Sequence, residues 1–197
     1  DLAYIYGQIV SPDGYKGELQ AKALQELLQA YEARRTKPTG DLAGLVKLLE
    51  GNPPATQLTV IKLLGVWQVP EALPALQTLA LDGKQPRLVR ESALSALVVI
   101  PGDATLPTIR KLLEPSQPLW LRFHAVSALT KRNLSQAATE APNVLRDASV
   151  EDEPDWMLPF LDHQKGPVTL AESLAKNPPG KELSKILLRY LYSIGRT

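Results

Sequence analysis

The sequence predicts an all-α fold: a right-handed α-α superhelix of antiparallel helix pairs, stacked so that each pair touches its neighbours. Three observations predict it. An apolar stripe, Leu73-Pro74-Ala75-Leu76 with Leu79, returns later in the chain as Leu106-Pro107-Thr108-Ile109 with Leu112, and Leu42, Leu45, Leu48 and Leu49 carry the same spacing at a similar interval before it. A second stripe follows each first one. Arg90, Ala93, Ala96 and Leu97 reappear as Arg122, Ala125, Ala128 and Leu129, and the earliest copy has Gln57, Val60, Leu63 and Leu64 in these places; the i, i+3, i+6, i+7 spacing is helical. Finally, Pro53, Pro86 and Pro118 precede the three second stripes. A proline in the first helical turn loses nothing, because its missing N–H would have no helical partner.

In order along the chain, residues 1–40 read as an N-terminal cap and first helix. Tyr4, Tyr6 and Tyr15 make an aromatic start, and Gly17 to Lys37 sets Leu19, Ala23, Leu24, Leu27, Leu28 and Tyr31 along an amphipathic helix. Residues 41–132 hold three clear repeats, each a helix, a turn and a second helix. Small side chains at Ala93, Ala96, Ala125 and Ala128 let neighbouring helices approach, and leucines fill the space between them. Residues 133–197 read as divergent repeats and a C-terminal cap. They comprise a weaker helix over 134–147 interrupted by Pro142, an irregular stretch from Glu151 to Phe160, and a short helix opened by Gly166-Pro167. Asn177-Pro178-Pro179-Gly180 then stops the chain before a last helix from about Lys181 to Ile194. A lone helix pair cannot bury such a face, so the 197 residues are expected to form one elongated domain of about ten helices without a sheet.

Composition narrows the chemistry. With no cysteine, disulfides, thiolate nucleophiles, iron–sulfur clusters and attached c-type haem are excluded within this chain. The longest uncharged runs, such as Ser92 to Gly102, are far shorter than the ~18 residues of a membrane-spanning helix. The chain starts at Asp1 with no basic-then-apolar leader, which reads as a processed chain or an excised piece. A net charge of +1 is too small for general phosphate attraction, so no nucleic acid is expected as partner. That total is a cancellation: residues 51–132 carry nine basic and five acidic side chains, and residues 133–165 carry two and seven. The acidic run Glu151-Asp152-Glu153-Pro154-Asp155 is read as a solvated loop and helix start, where carboxylates meet the positive end of the helix dipole; its alternative is a patch for a basic partner or a cation.

No catalytic set is legible. The two histidines, His124 and His163, fall in different repeats, no zinc-ligand spacing accompanies them, and neither a phosphate loop nor a nucleophile elbow is present. Neither metal nor cofactor is expected. His163 is placed at a helix C-terminus, where the dipole favours a partly charged imidazole.

The runs Leu73-Pro74-x-Leu76-x-x-Leu79, Asp82, Val89-Arg90-x-x-Ala93-x-x-Ala96-Leu97, and Leu106-Pro107 through Arg122 to Leu129, resemble the HEAT repeat. The resemblance implies a curved stack of helix pairs serving as a scaffold or binding surface, with second helices lining the concave face. It thereby implies a binding face at Lys62, Glu91, Ser95, Trp120, Phe123, His124, Ser127 and Lys131. Trp120 and Phe123 admit two readings, as packing against Trp156 and Met157 or as an exposed anchor for a partner. Asp82 and Glu114 occupy equivalent turn positions ahead of Arg90 and Arg122, which suggests a structural ladder of acid–Arg pairs between repeats.

The expected function is therefore a non-catalytic scaffold or protein-interaction module, with a protein or other domains of its parent chain as partner. The alternative is a DNA-acting enzyme, since some HEAT-like folds are alkylpurine glycosylases and Trp67, Trp120 and Asp103 offer residue types for it; the missing basic stripe argues against this. HEAT-like bilin lyases are a further relative, but no residue marks a tetrapyrrole pocket. The closing Leu188-x-x-Leu191-Tyr192-x-x-Gly195-Arg196 also looks like helical repeat segments of large secreted bacterial proteins with dehydrogenase-like and cytochrome domains. That likeness implies a periplasmic or secreted spacer between redox domains; without it the chain reads as cytoplasmic.

Overall fold

The computed structural model describes residues 1–102, 105–152 and 154–195. Asp103, Glu153 and Arg196 of the motifs above lie outside them. Among the described residues there are eleven α-helices, three short 3-10 helices and no strand, so the chain is all-α. They group into two compact units, Asp1–Thr105 and Leu106–Thr197.

The first unit runs α1 (Leu2–Val10), α2 (Gly17–Arg34), a 3-10 helix (Ala43–Leu49), α3 (Pro54–Val66), a 3-10 turn (Pro70–Ala72), α4 (Leu73–Leu81) and α5 (Arg87–Val99). α3 is its axis, with α2, the first 3-10 helix and α5 packed around it, and α4 lies on α5. Leu24, Leu27, Leu45, Leu63, Leu64, Leu76 and Leu97 of the predicted stripes are fully buried and are joined by Ile61 and Leu94, whereas Leu42, Leu48, Leu73 and Leu79 are half-buried. Buried Gln20 ties α2 to α1 by donating to the Ile9 carbonyl at 2.8 Å, satisfying one of the acceptors that a helix end leaves open. The Tyr6 ring lies edge-on to buried Trp67, with centroids 6.2 Å apart. Burial first, then the charge of Asp41, pushes the Tyr6 phenol up to about 12, against the Gly44 and Leu45 amides, which lower it.

The sequence places an ordinary helix at the first stripe of the first repeat, and the chain forms a 3-10 helix there. Only seven residues lie between Leu42 and Glu50, with the Asp41 carboxylate taking the Ala43 N–H (2.8 Å) at the start and Gly51 at φ 72° just beyond the end. Leu42, Leu45 and Leu48 are three apart, which aligns them in a helix of 3.0 residues per turn. The three repeat prolines sit one residue earlier than the first helical turn. Pro53, Pro86 and Pro118 are the N-cap residues of α3, α5 and α7, with φ of −57°, −55° and −56°.

α3 and α5 approach closely because Gly65 lacks a side chain. A Cβ there would lie 2.9 Å from both Cα and Cβ of Ala96. Gly65→Ala should therefore lower stability: better helix propensity contributes up to ~1 kcal/mol, but overpacking costs about 1–3 kcal/mol. Gly7→Ala, on a helical position of α1 with nothing within 4 Å, should be neutral or stabilising. Urea denaturation of both variants checks this, and a stabilised Gly65→Ala refutes the close approach.

The second unit holds α6 (Thr105–Leu112, its first residue at the boundary), α7 (Leu119–Leu129) and α8 (Leu134–Leu145). A 3-10 turn (Pro154–Met157), α9 (Leu158–Leu161), α10 (Gly166–Lys176) and α11 (Lys181–Ser193) follow. α8 packs between α7 and α10, α9 lies against α7 and α10, and α11 rests on the 3-10 turn.

Pro142 does not interrupt α8, which runs through it to Leu145. Proline has no N–H for the carbonyl four residues back, and that carbonyl, of Ala138, accepts instead from Ser173 Oγ of α10 at 2.6 Å. The defect in one helix thus becomes its bond to the next. Ser173→Ala should cost about 1–3 kcal/mol by leaving an unsatisfied buried acceptor, and nearly nothing in a Pro142→Ala background, where the restored N–H serves the carbonyl. Equal costs in both backgrounds, measured by thermal melts, would sink this account.

Candidate functional site

The repeat positions that carry polar side chains fall into two groups, one turned into the junction inside each helix pair and one on the surface.

The first group is Gln57, Arg90 and Arg122, each in the first turn of a second helix, with the two arginines buried and Gln57 half-buried. Gln57 Nε2 donates to the Leu49 carbonyl (2.9 Å), Arg90 Nε to the Ala80 carbonyl (2.9 Å) and Arg122 Nε to the Leu113 carbonyl (3.2 Å). All three acceptors lie at or just past the end of the preceding helix, where backbone carbonyls lack helical partners and the dipole is negative. Burial lowers the Arg90 pKa and the nearby Asp82 carboxylate opposes that fall. Asp82 itself is held below the usual carboxylate range by the Lys84 N–H and the Gln85 amide first, then by the charges of Lys84 and Arg90.

The acid–Arg ladder is thereby corrected in one member. Arg122 Nη1 pairs with Asp147 Oδ2 at 2.6 Å, whereas Glu114 stays exposed on its turn. Asp147 is closer because α8 folds back along α7 and delivers its C-terminal turn to the guanidinium. The recurring partner is a main-chain carbonyl, which no side-chain pattern reveals; the signal available was that Gln57 holds the same place as the two arginines.

On the surface of the first unit, Lys62 on α3 and Ser95 on α5 are exposed and hold equivalent places in successive repeats. Glu91, one helical turn before Ser95, is half-buried and ion-paired with Arg87 at 2.8 Å.

In the second unit the predicted set lies on α7 and just beyond it. Lys131 is exposed, while Trp120 and His124 are half-buried and each has a partner within the fold. Phe123 is 7% exposed and stacks on Trp156, with centroids 5.4 Å apart and planes 12° apart. Trp156 in turn meets Phe160 edge-on at 6.1 Å, and Ser127 Oγ donates to the Trp156 carbonyl at 2.8 Å. The residues after α8 therefore cover Phe123 and Ser127, and the anchor reading does not hold for Phe123. The covering strip was visible in sequence as Trp156 and Met157, but its fold-back was not.

Two carboxylates of the acidic run, Asp152 and Asp155, bond locally. Asp152 Oδ2 accepts from the N–H and hydroxyl of Ser149 at 2.7 and 3.0 Å, and Asp155, in the first turn of the 3-10 helix, accepts the Tyr190 hydroxyl of α11. Burial and this contact raise the Tyr190 phenol to about 12. Among the described residues no group of three His, Asp or Glu could hold a metal ion. His163 lies just past the C-terminus of the four-residue α9, one residue after its C-cap Asp162, and its ring Nδ1 accepts the Lys165 N–H at 3.2 Å. Trp67, one of the residue types named for a DNA-acting enzyme, is 1% exposed and belongs to the core.

No helix among the described residues is long and apolar enough to cross a membrane. The HEAT-repeat family model matches residues 42–130. Neither the curated proteins nor the solved structures yield a match.

Proposed function

Residues 42–130 being HEAT repeats, we propose that the chain is a non-catalytic helical-repeat scaffold, binding another protein or another domain of its own parent chain. HEAT repeats make protein-interaction scaffolds and are typically non-catalytic. The observation that supports this reading is the division of labour on α3 and α5. Their carbonyl-binding and small residues are used up inside the fold, while Lys62 and Ser95 recur in register on the solvent side. A row of that kind on successive second helices is a surface with a repeat of its own, suited to an extended partner. A photo-crosslinking residue placed at Lys62 or Ser95 in the source organism should trap one defined protein, or a domain of the parent chain. No adduct at either position would refute the proposal, as would a trapped nucleic acid.

A further inference from the structure

α11 carries a second surface that its own unit leaves unused. Its buried side chains are Leu183 and Leu187, while on the opposite side Leu188 and Tyr192 are 54% and 69% exposed. At 3.6 residues per turn these two lie one above the other, and Lys181, Lys185 and Arg189 run along one border of the stripe they make. All three cations are exposed. Lys185 is held to Glu182 at 2.8 Å, and Lys181 and Arg189 form no ion pair among the described residues. Large apolar side chains standing together in water are uncommon on a helix whose packing face is already filled.

We infer that this face of α11 docks an amphipathic helix whose apolar stripe is flanked by carboxylates. Leu188 and Tyr192 supply the apolar contact, and Lys181 and Arg189 set the sign of the partner's flank. Charge argues against a second copy of this chain. Two α11 helices laid antiparallel with Leu188 meeting Tyr192 bring the two Arg189 side chains within a turn of each other, and laid parallel they set the cationic border of each against the opposite border of the other, which carries Ser184 and no carboxylate. A lipid surface fits poorly, since the broad apolar side of α11, with Leu183 and Leu187, is turned into the protein. The inference rests on the protein-binding reading above but uses a different surface.

The test is fluorescence anisotropy of the whole 197-residue chain with a labelled synthetic helical peptide that has leucines at i, i+3 and i+7 flanked by glutamates. The same peptide with lysines in place of the glutamates is the control. The acidic peptide should bind, should weaken as salt is raised, and should lose at least tenfold in affinity with Arg189→Glu and again with Tyr192→Ser; the basic peptide should not bind. Circular dichroism should show both variants folded, as both positions are exposed. Equal binding of the two peptides would overturn the inference, as would a self-association abolished by Tyr192→Ser or sedimentation with phosphatidylserine vesicles. Crosslinking at Lys62 with no peptide binding at α11 removes this inference and leaves the scaffold reading standing.

Discussion

Gly166→Ala should be the most damaging single-methyl change in the second unit, lowering stability by at least about 3 kcal/mol. Gly166 opens α10 and is buried, and a Cβ there would lie 1.9 Å from the carbonyl oxygen of Phe160 and 2.7 Å from its carbonyl carbon. Both are main-chain atoms, so no rotamer change relieves the contact and the turn from α9 into α10 must move. That turn is pinned on two sides. The Gly166 N–H donates to the His163 carbonyl (2.9 Å), and Phe160, fully buried, meets Trp156. Gly→Ala by itself stabilises a compatible position by only ~0.4–1 kcal/mol through the unfolded chain, which the clash outweighs. Gly180→Ala, at the N-cap of α11 with nothing within 4 Å, is the control and should melt with the wild type. For a protein of this size a loss of about 3 kcal/mol corresponds to a melting drop of roughly 6–12 °C. A Gly166→Ala protein melting within about 2 °C of wild type would show that the α9–α10 turn yields.

Arg90→Ala should destabilise the first unit by about 2–4 kcal/mol, and Arg90→Gln by less than half as much. Arg90 is 4% exposed, and its Nε–H serves the carbonyl of Ala80, which is itself fully buried. Truncation leaves that acceptor unsatisfied and opens a cavity where the guanidinium stem packed. Glutamine fills the same place at Gln57, where its amide reaches the Leu49 carbonyl at 2.9 Å. The Arg90→Gln side chain can therefore keep the bond while discarding the charge. If Asp82 were the partner that matters, the two variants would be equally damaged, because neither keeps a cation. Urea midpoints of the two variants decide between these accounts.

Fold class and most element positions were legible in this sequence because repetition supplies several copies of each signal. Three prolines, three apolar stripes and paired alanines all agree, so one aberrant copy does not hide the repeat. The first stripe reads as an ordinary helix because spacing of three satisfies both helix types, and only the short run between Asp41 and Gly51 decides between them. Pro142 reads as a break because the compensating donor, Ser173, lies on α10, beyond the whole of α9. The same limit applies to the candidate surface. Lys62 and Ser95 are exposed as the repeat resemblance implies, whereas Phe123 and Ser127 on α7 meet a strip with no repeat pattern to place it.

By itself, then, the sequence determined an all-helical repeat fold, much of the repeats' apolar core and the absence of cysteine chemistry. Each of these rests on local periodicity or on composition, which need no knowledge of distant contacts. Only the tertiary structure decided what the polar repeat residues touch. Arg90, Arg122 and Gln57 proved to serve main-chain carbonyls, which have no identity in a sequence. The cover over Phe123 and the uncovered face of α11 were decided there too, because burial is a property of what folds back, and non-repeating segments fold back by contacts between residues far apart in the chain.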